Sequence, residues 1–293
     1  MEISGFDFDR TDLALENREK FEKDNVEIDG VEVVKHGYYD RKINIVKVII
    51  KTEEAAKVMG KPIGTYTTIE SEIPYEDTLN DIDFIAGIIA GEMKDMYTFK
   101  PGSSFLVAGL GNRDITADSL GPNVAELIDI DMDANVKPYV VIPGVMAKSG
   151  MESALIVKGV SDQVKPDVII AIDSLAARNI KRLNRVIQIA NTGINPGSGV
   201  DNHRYGINEE SMGVPVIAIG VPMVVNAATI VRDALESIIN DDKADYHQMI
   251  SDGSIIENDV FNMFVTSDCI DENIYVMAKI IAKGLNKLVQ ERL

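Results

Sequence analysis

The chain has 293 residues, of which 45% are hydrophobic and 26% charged, with a net charge of −18. That length can bury the core of one large domain or two small ones, the balance excludes a wholly disordered chain, and the negative charge argues against a nucleic-acid or anionic-membrane partner. The single cysteine, Cys269, excludes an intrachain disulfide and a Cys-rich zinc site, which suits a reducing compartment. The first ten residues lack the basic start and apolar run of a signal peptide, and no stretch reaches transmembrane length without a charge or turn, so a cytoplasmic protein is expected.

In chain order, residues 1–30 are acidic and weakly patterned, with a short helix expected over Leu13–Glu22. Residues 31–50 alternate as strands, Gly60–Gly64 reads as a turn and Thr65–Ile69 as a further strand. The stretch Asp77–Met96 has helical spacing, with Leu79, Ile82, Ile85, Ala86, Ile89 and Met93 on one face. From residue 104 apolar runs of strand length alternate with helical stretches. The strands are Phe105–Leu110, Tyr139–Ile142, Val168–Ile172, Val186–Ala190 and Pro215–Gly220; the helices are Pro122–Ile128, Glu152–Val160, Ser174–Lys181, Val224–Ile239 and Glu272–Leu288. Nearly continuous Val/Ile runs mark strands buried on both faces. The fold class expected is therefore α/β: a mostly parallel central sheet with helices on both faces, plus an N-terminal β-containing region.

Two aspartates fall where apolar strands are expected to end. Asp118 follows Phe105–Leu110, and Asp173 closes Val168–Ile172 just before the expected helix at Ser174. The carboxyl ends of parallel strands form the ligand crevice, and an ionisable group there faces the site. Two carboxylates divide acid and base work when one is held protonated and the other ionised. Each also has a plainer reading as a turn or capping residue, and Asp173 is the better cap. Gly109 and Gly111 follow a strand, but position 114 is Asp and helical signals wait until Pro122, so they read as a sharp turn and not as a dinucleotide fingerprint. His203 lies in the long polar connection Asn191–Gly206, the kind of connection that is usually functional, although a lone loop histidine is usually a surface residue. Arg178, five residues after Asp173, is placed to meet an acidic substrate side chain or to serve as a surface arginine.

Five ordered blocks carry a resemblance: Phe105-Leu-Val-Ala-Gly-Leu-Gly-Asn112 with Thr116-Ala-Asp118-Ser-Leu-Gly-Pro122, then Ile142-Pro-Gly-Val-Met146, Ile170-Ala-Ile-Asp173-Ser-Leu-Ala-Ala-Arg178, Gln188-Ile-Ala-Asn-Thr-Gly-Ile-Asn-Pro-Gly-Ser-Gly199 and Gly213-Val-Pro-Val-Ile-Ala-Ile-Gly-Val-Pro-Met-Val-Val225. Together they resemble the germination protease of endospore-forming bacteria, whose fold is similar to that of hydrogenase maturation proteases. The resemblance runs from about residue 10 to about residue 230 and returns in the C-terminal helix; the segment between Ile239 and Glu272 looks abbreviated. It implies an aspartate-dependent endopeptidase, unlike pepsin, that cuts small acid-soluble spore proteins after an acidic residue. Asp118 and Asp173 take the catalytic positions, Asn112, Arg178 and His203 are assigned to substrate binding, and no cofactor is expected. It further implies a homotetramer made in the forespore as an inactive zymogen, working in the spore core.

Thr11-Asp-Leu-Ala14 resembles the family's own cleavage signature, a hydroxyl residue and an acidic residue before the cut, an apolar residue and Ala after it. The expected division is a propeptide, 1–12, removed by self-cleavage between Asp12 and Leu13, and a single α/β peptidase domain, 13–293. Glu16 follows a second apolar pair but lacks the preceding hydroxyl residue, and ranks below Asp12. Peptide hydrolysis needs a base for water and an acid for the leaving amine. Asp173, on the more apolar strand, is assigned as acid and Asp118 as base, with the reverse left open. Two competing readings are a metal-assisted hydrolase, with Asp118, Asp173 and His203 holding a divalent cation, and a non-catalytic module binding a small ligand in the same crevice.

Overall fold

A computed structural model describes residues 11–22, 28–72, 81–195, 205–238 and 263–290. Among the described residues there are nine strands: β1 (Val31–Tyr38), β2 (Ile43–Ile50), β3 (Gly64–Ser71), β4 (Ser104–Gly109), β5 (Lys137–Val141), β6 (Val168–Ala177), β7 (Val186–Ala190), β8 (Val216–Asn226) and β9 (Phe264–Val265). They form one sheet in the order β1-β2-β3-β7-β8-β6-β4-β5, with β9 paired to β8. The half containing β8, β6, β4 and β5 is parallel. The N-terminal strands β1, β2 and β3 are antiparallel and join through β7. The α/β architecture expected from the alternation is thus present. One strand departs from it: Val186–Ala190 is buried on both faces as its Val/Ile run demands, yet runs antiparallel to β8.

The helices are α1 (Ala14–Glu22), α2 (Glu53–Met59), α3 (Ile82–Met96), α4 (Leu120–Glu126), α5 (Met146–Ser149), α6 (Ser153–Val164), α7 (Glu209–Met212), α8 (Ala227–Ile238) and α9 (Ile270–Gln290). The period of two along each strand sorts the core into two layers. Phe105, Val107, Ile170 and Ile172 lie in one layer with residues of α3, α4 and α9. Leu106, Ala108, Ile169 and Ala171 lie in the other, with Ala154 and Val157 of α6 and Met212 of α7. The stripe on α3 is the expected one, with Ile82, Ile85, Ala86, Ile89 and Met93 buried; Leu79 falls outside the described residues. Helix α2 was not foreseen. Thr52 caps it, its hydroxyl accepting from Ala55 N at 3.1 Å, and Gly60 ends it in the left-handed region.

The expected helix at Ser174–Lys181 is absent. β6 runs on to Ala177, and only a 3-10 turn at Ile180–Arg182 follows. Ser174-Leu-Ala-Ala reads as helical by composition. Pairing with β8 continues through a register shift at Leu175/Ala176 to Ala177↔Val225 and holds the backbone extended. β8 is longer than expected for the same reason, so its helix begins at Ala227 rather than Val224. Most of the abbreviated region, residues 239–262, lies outside the described residues.

Candidate active site

β4 leads through α4 to β5 on one side, and the chain then crosses back to place β6 on the other side of β4. The carboxyl ends of β4 and β6 therefore mark a topological switch point, where open α/β sheets bind ligands. A cleft of about 750 Å³ opens there, lined by Asp118 and Asp173 together with Asp12, Lys61, Tyr66 and Gln188.

Asp173 is not a helix cap. It lies within β6 opposite Gly220, one residue beyond the last pairing with β4, Gly109↔Ile172. Its neighbour Ile172 packs into the layer beneath α4 and α9, so the aspartate is carried on the opposite, cleft-facing side. Asp173 is 8% exposed, and its Oδ1 accepts from Ser174 N at 2.9 Å.

Asp118 arrives from the loop after β4. It ends a 3-10 turn, Thr116–Asp118, and Ser119 is the residue before α4, as its distance from Gly121 and Pro122 suggested. Asn112 N donates to both the Oδ2 and the backbone carbonyl of Asp118, each at 2.9 Å. Two glycines make this fold-back fit. Gly111 has φ +109°, and a Cβ there would lie 2.0 Å from Asp118 O. A Cβ on Gly121 would lie 2.3 Å from Leu110 O and 2.5 Å from Ile172 O, so only glycine lets α4 start against both β4 and β6.

The N-terminal segment enters the same cleft. The sequence reads as a weakly patterned terminus around Asp12, and the structure buries Thr11, Leu13, Ala14, Leu15 and Glu16. Asp12 N donates to Ala176 O at 3.1 Å, and Ala176 N donates to Asp12 Oδ2 at 2.9 Å. The carbonyl oxygen of Asp12 accepts from Lys61 Nζ at 3.0 Å and from Gln188 Nε2 at 3.2 Å. Gln188 Oε1 in turn accepts from Ala14 N at 2.8 Å. Leu13 packs among Leu175, Ala177, Val186 and Val225. Glu16 anchors the far end: its carboxylate accepts from Arg178 N at 2.8 Å, Asn179 N at 3.0 Å and the Thr11 hydroxyl. The buried Arg182 guanidinium binds Glu19 at 2.6 and 2.7 Å and Glu70 at 3.1 Å, and lies 3.5 Å from Glu16. Burial lowers the pKa of this guanidinium, but Glu19, Glu70 and Glu16 outweigh that and raise it above its ordinary value.

The structure gathers Asp118, Asp173 and Asp12 in one cleft with Leu13 beside it. Asn112 acts on Asp118 through its backbone N–H, while its side-chain Oδ1 accepts from Asp114 N at 3.1 Å. Arg178 meets the buried segment through its backbone N–H to Glu16. His203 lies outside the described residues, which flank it with the bridge Ile194↔Ile207. Among the described residues no group of three or more His, Cys, Asp or Glu side chains could hold a metal ion. Sequence reasoning missed Lys61 and Gln188. A glutamine inside the apolar run Val186–Ala190 was a signal; a lysine in a Gly-Lys-Pro turn was not.

One cleft thus brings a segment of the chain together with two carboxylates. The family model described as germination protease matches residues 8–248. A germination protease of Clostridium perfringens (strain ATCC 13124) is 38% identical over 314 aligned residues, covering 96% of this chain and 95% of the relative. That of Caldanaerobacter subterraneus subsp. tengcongensis is 39% identical over 312, covering 96% and 94%. That of Geobacillus sp. (strain WCH70) is 38% identical over 254, covering 78% of this chain and 67% of the longer relative. The chain belongs to the germination protease family: it is a peptidase, and hence a hydrolase, of spore germination. Among the described residues no helix is long and apolar enough to cross a membrane.

Proposed function

We propose that this chain is a zymogen that removes residues 1–12 by cutting Asp12–Leu13, and that the processed enzyme cuts small acid-soluble spore proteins after an acidic residue. Asp118 and Asp173 carry the chemistry. One carboxylate takes the proton of the attacking water and the other protonates the leaving nitrogen. The observation that carries this reading is the shared cleft: the Asp12 carbonyl is fixed in the same cavity that Asp118 and Asp173 line. The acceptance of an acidic residue before the cut is supported by the Ala176 N–H on the Asp12 carboxylate. Acidification of the forespore suits a mechanism in which one carboxyl group must hold a proton. The family resemblance adds a homotetramer in the forespore and spore core.

The test is direct. Full-length protein is incubated at mildly acid pH and its new N-terminus sequenced, with Leu13 expected. Asp118→Asn and Asp173→Asn are each expected to abolish processing and cleavage of a small acid-soluble spore protein while circular dichroism stays unchanged. A folded variant of either residue that processes normally removes that residue from the mechanism. Activity that disappears on exhaustive chelation and returns with one divalent ion replaces the carboxylate-pair mechanism with the metal-assisted one.

A further inference from the structure

Peptide hydrolysis places negative charge on the scissile carbonyl oxygen as well as moving two protons, and the two aspartates supply nothing for that charge. Preorganised donors aimed at the oxygen are usually the largest single contribution in acyl transfer. The cleft holds such donors in an arrangement that the acid–base reading leaves unused.

We propose that Lys61 and Gln188 form the oxyanion site of this peptidase: Lys61 Nζ and Gln188 Nε2 hold the carbonyl oxygen of the residue before the cut and stabilise the charge that develops on it. The proposal rests on the reading of Asp12–Leu13 as the self-processed bond. Both donors already lie on the Asp12 oxygen, at 3.0 and 3.2 Å, and they come from different elements. Lys61 follows the left-handed cap of α2, and its N–H donates to Ala56 O at 3.2 Å, which fixes the side chain's origin. Gln188 sits in the centre of β7, and its amide is oriented by accepting from Ala14 N through Oε1. The one glutamine therefore brackets the bond, donating to the carbonyl before the cut and accepting from the amide of the second residue after it.

The step balances with water as the only co-reactant. A water oxygen attacks the Asp12 carbonyl carbon while one aspartate takes its proton. The carbonyl π electrons move onto the oxygen, between the Lys61 ammonium and the Gln188 amide. Collapse breaks the bond to the Leu13 nitrogen, which takes a proton from the other carboxyl group, leaving an Asp12 α-carboxylic acid and a Leu13 amine; the proton of that acid then passes to the amine, giving the carboxylate and the ammonium. Burial lowers the pKa of Lys61 and the Asp12 carboxylate opposes that. The charged or titratable groups lining the same cleft are Asp12, Asp118, Asp173 and Tyr66.

The experiment uses the full-length chain and follows the first-order rate of self-processing across pH, with amide exchange at Asp12 and Ala14 as the measure of docking. Lys61→Met is expected to slow processing by about 10²–10³-fold, the usual loss for one oxyanion donor, with both amides still protected. Lys61→Arg restores part of the rate and carries it to higher pH, because its guanidinium does not titrate where the lysine does. Gln188→Glu keeps the acceptor for Ala14 N, loses the donor, and slows processing at least tenfold. Should Lys61→Met fail to fold, Lys61→Arg and Gln188→Glu carry the decision by the same rates. Wild-type cleavage at Asp12–Leu13 with unchanged processing in the folded Lys61 and Gln188 variants overturns this proposal alone. So does a lost rate accompanied by lost protection at Asp12, which makes Lys61 a docking residue. A wild-type chain that cuts a different bond overturns both this proposal and the processing site it rests on.

Discussion

Glu16 is a polar anchor of the docked N-terminal segment. Its buried carboxylate accepts two backbone N–H groups, from Arg178 and Asn179, and the Thr11 hydroxyl, and it lies 3.5 Å from the Arg182 guanidinium. Hydrogen bonds to a charged group contribute about 1.5 kcal/mol or more each, so the two backbone bonds alone give about 3 kcal/mol. Glu16→Ala removes them and leaves both donors unmet. A change of about 3 kcal/mol shifts the docked-to-undocked ratio on the order of 100-fold. The probe is the Ala14 amide in the unprocessed chain, because its partner, Gln188 Oε1, lies across the cleft on β7. Its exchange is expected to quicken on the order of 100-fold, in proportion to that ratio. The rest of the sheet should keep its protection. Glu16→Gln retains one acceptor oxygen and should fall between. Exchange at Ala14 within about threefold of wild type in folded Glu16→Ala protein would refute the assignment of Glu16 as the anchor.

Gly121→Ala brings a Cβ to within 2.5 Å of backbone atoms of both Leu110 and Ile172, which cannot rotate away, so a loss of about 1–3 kcal/mol is expected in urea unfolding, with impaired processing as α4 is pushed from the strands that carry the site. Wild-type stability in that variant would show the approach to be looser than described. Burial raises the Tyr66 pKa to about 12, and its hydroxyl donates to Pro62 O at 2.8 Å. The native phenol keeps its proton where the unfolded one loses it, so this contribution is intact below about pH 10 and falls as pH rises towards about 12, by about 3 kcal/mol in all. Tyr66→Phe should lack that slope in a stability–pH series, and an identical slope in the two proteins would rule the assignment out.

The site was half legible in the sequence. Asp118 and Asp173 stood out because nearly continuous apolar runs ended beside them, and such a run is a local signal. What followed Asp173 was not local: Ser174–Ala177 stays extended only because β8 pairs beside it, and no pattern within β6 records that partner. The N-terminus misled for a related reason. The short helix expected over Leu13–Glu22 is present as α1, but the weak patterning of residues 1–30 gave no sign of its burial: Glu16 and Glu19 are acidic because a buried Arg182, over 160 residues away, needs partners. Gln188 was marked by its place inside the apolar run Val186–Ala190, whereas Lys61 is conspicuous only once the chain lies across it.

The same contacts set a condition on the processed enzyme. If Asp12–Leu13 is cut, the new chain begins at Leu13, which is fully buried among Leu175, Ala177, Val186 and Val225. Cleavage creates an ammonium there, and burying an unpaired charge costs on the order of several kcal/mol. It also separates Asp12 from Leu13, so the bonds of Asp12 to Lys61, Gln188 and Ala176 no longer hold the start of α1. The hold that remains includes Ala14 on Gln188, the Glu16 and Glu19 carboxylates on Arg178, Asn179 and Arg182, Asn17 Nδ2 on Met59 O, and the apolar packing of Leu13, Ala14 and Leu15. The side of the cleft that must receive the residues after a substrate's cut is the side that Leu13 and Ala14 fill. Hydrolysis of one bond therefore loads the docked segment with a charge it cannot bury and removes part of its anchorage. The expected outcome is that Leu13–Glu16 leaves the cleft after processing. Amide exchange at Ala14 should accelerate by more than tenfold between the unprocessed and processed chains at one pH, and the binding of a substrate peptide should appear with the same time course. Equal protection of Ala14 in the two forms, together with full activity of the processed one, would mean that substrate reaches the aspartates by a route that leaves the segment in place.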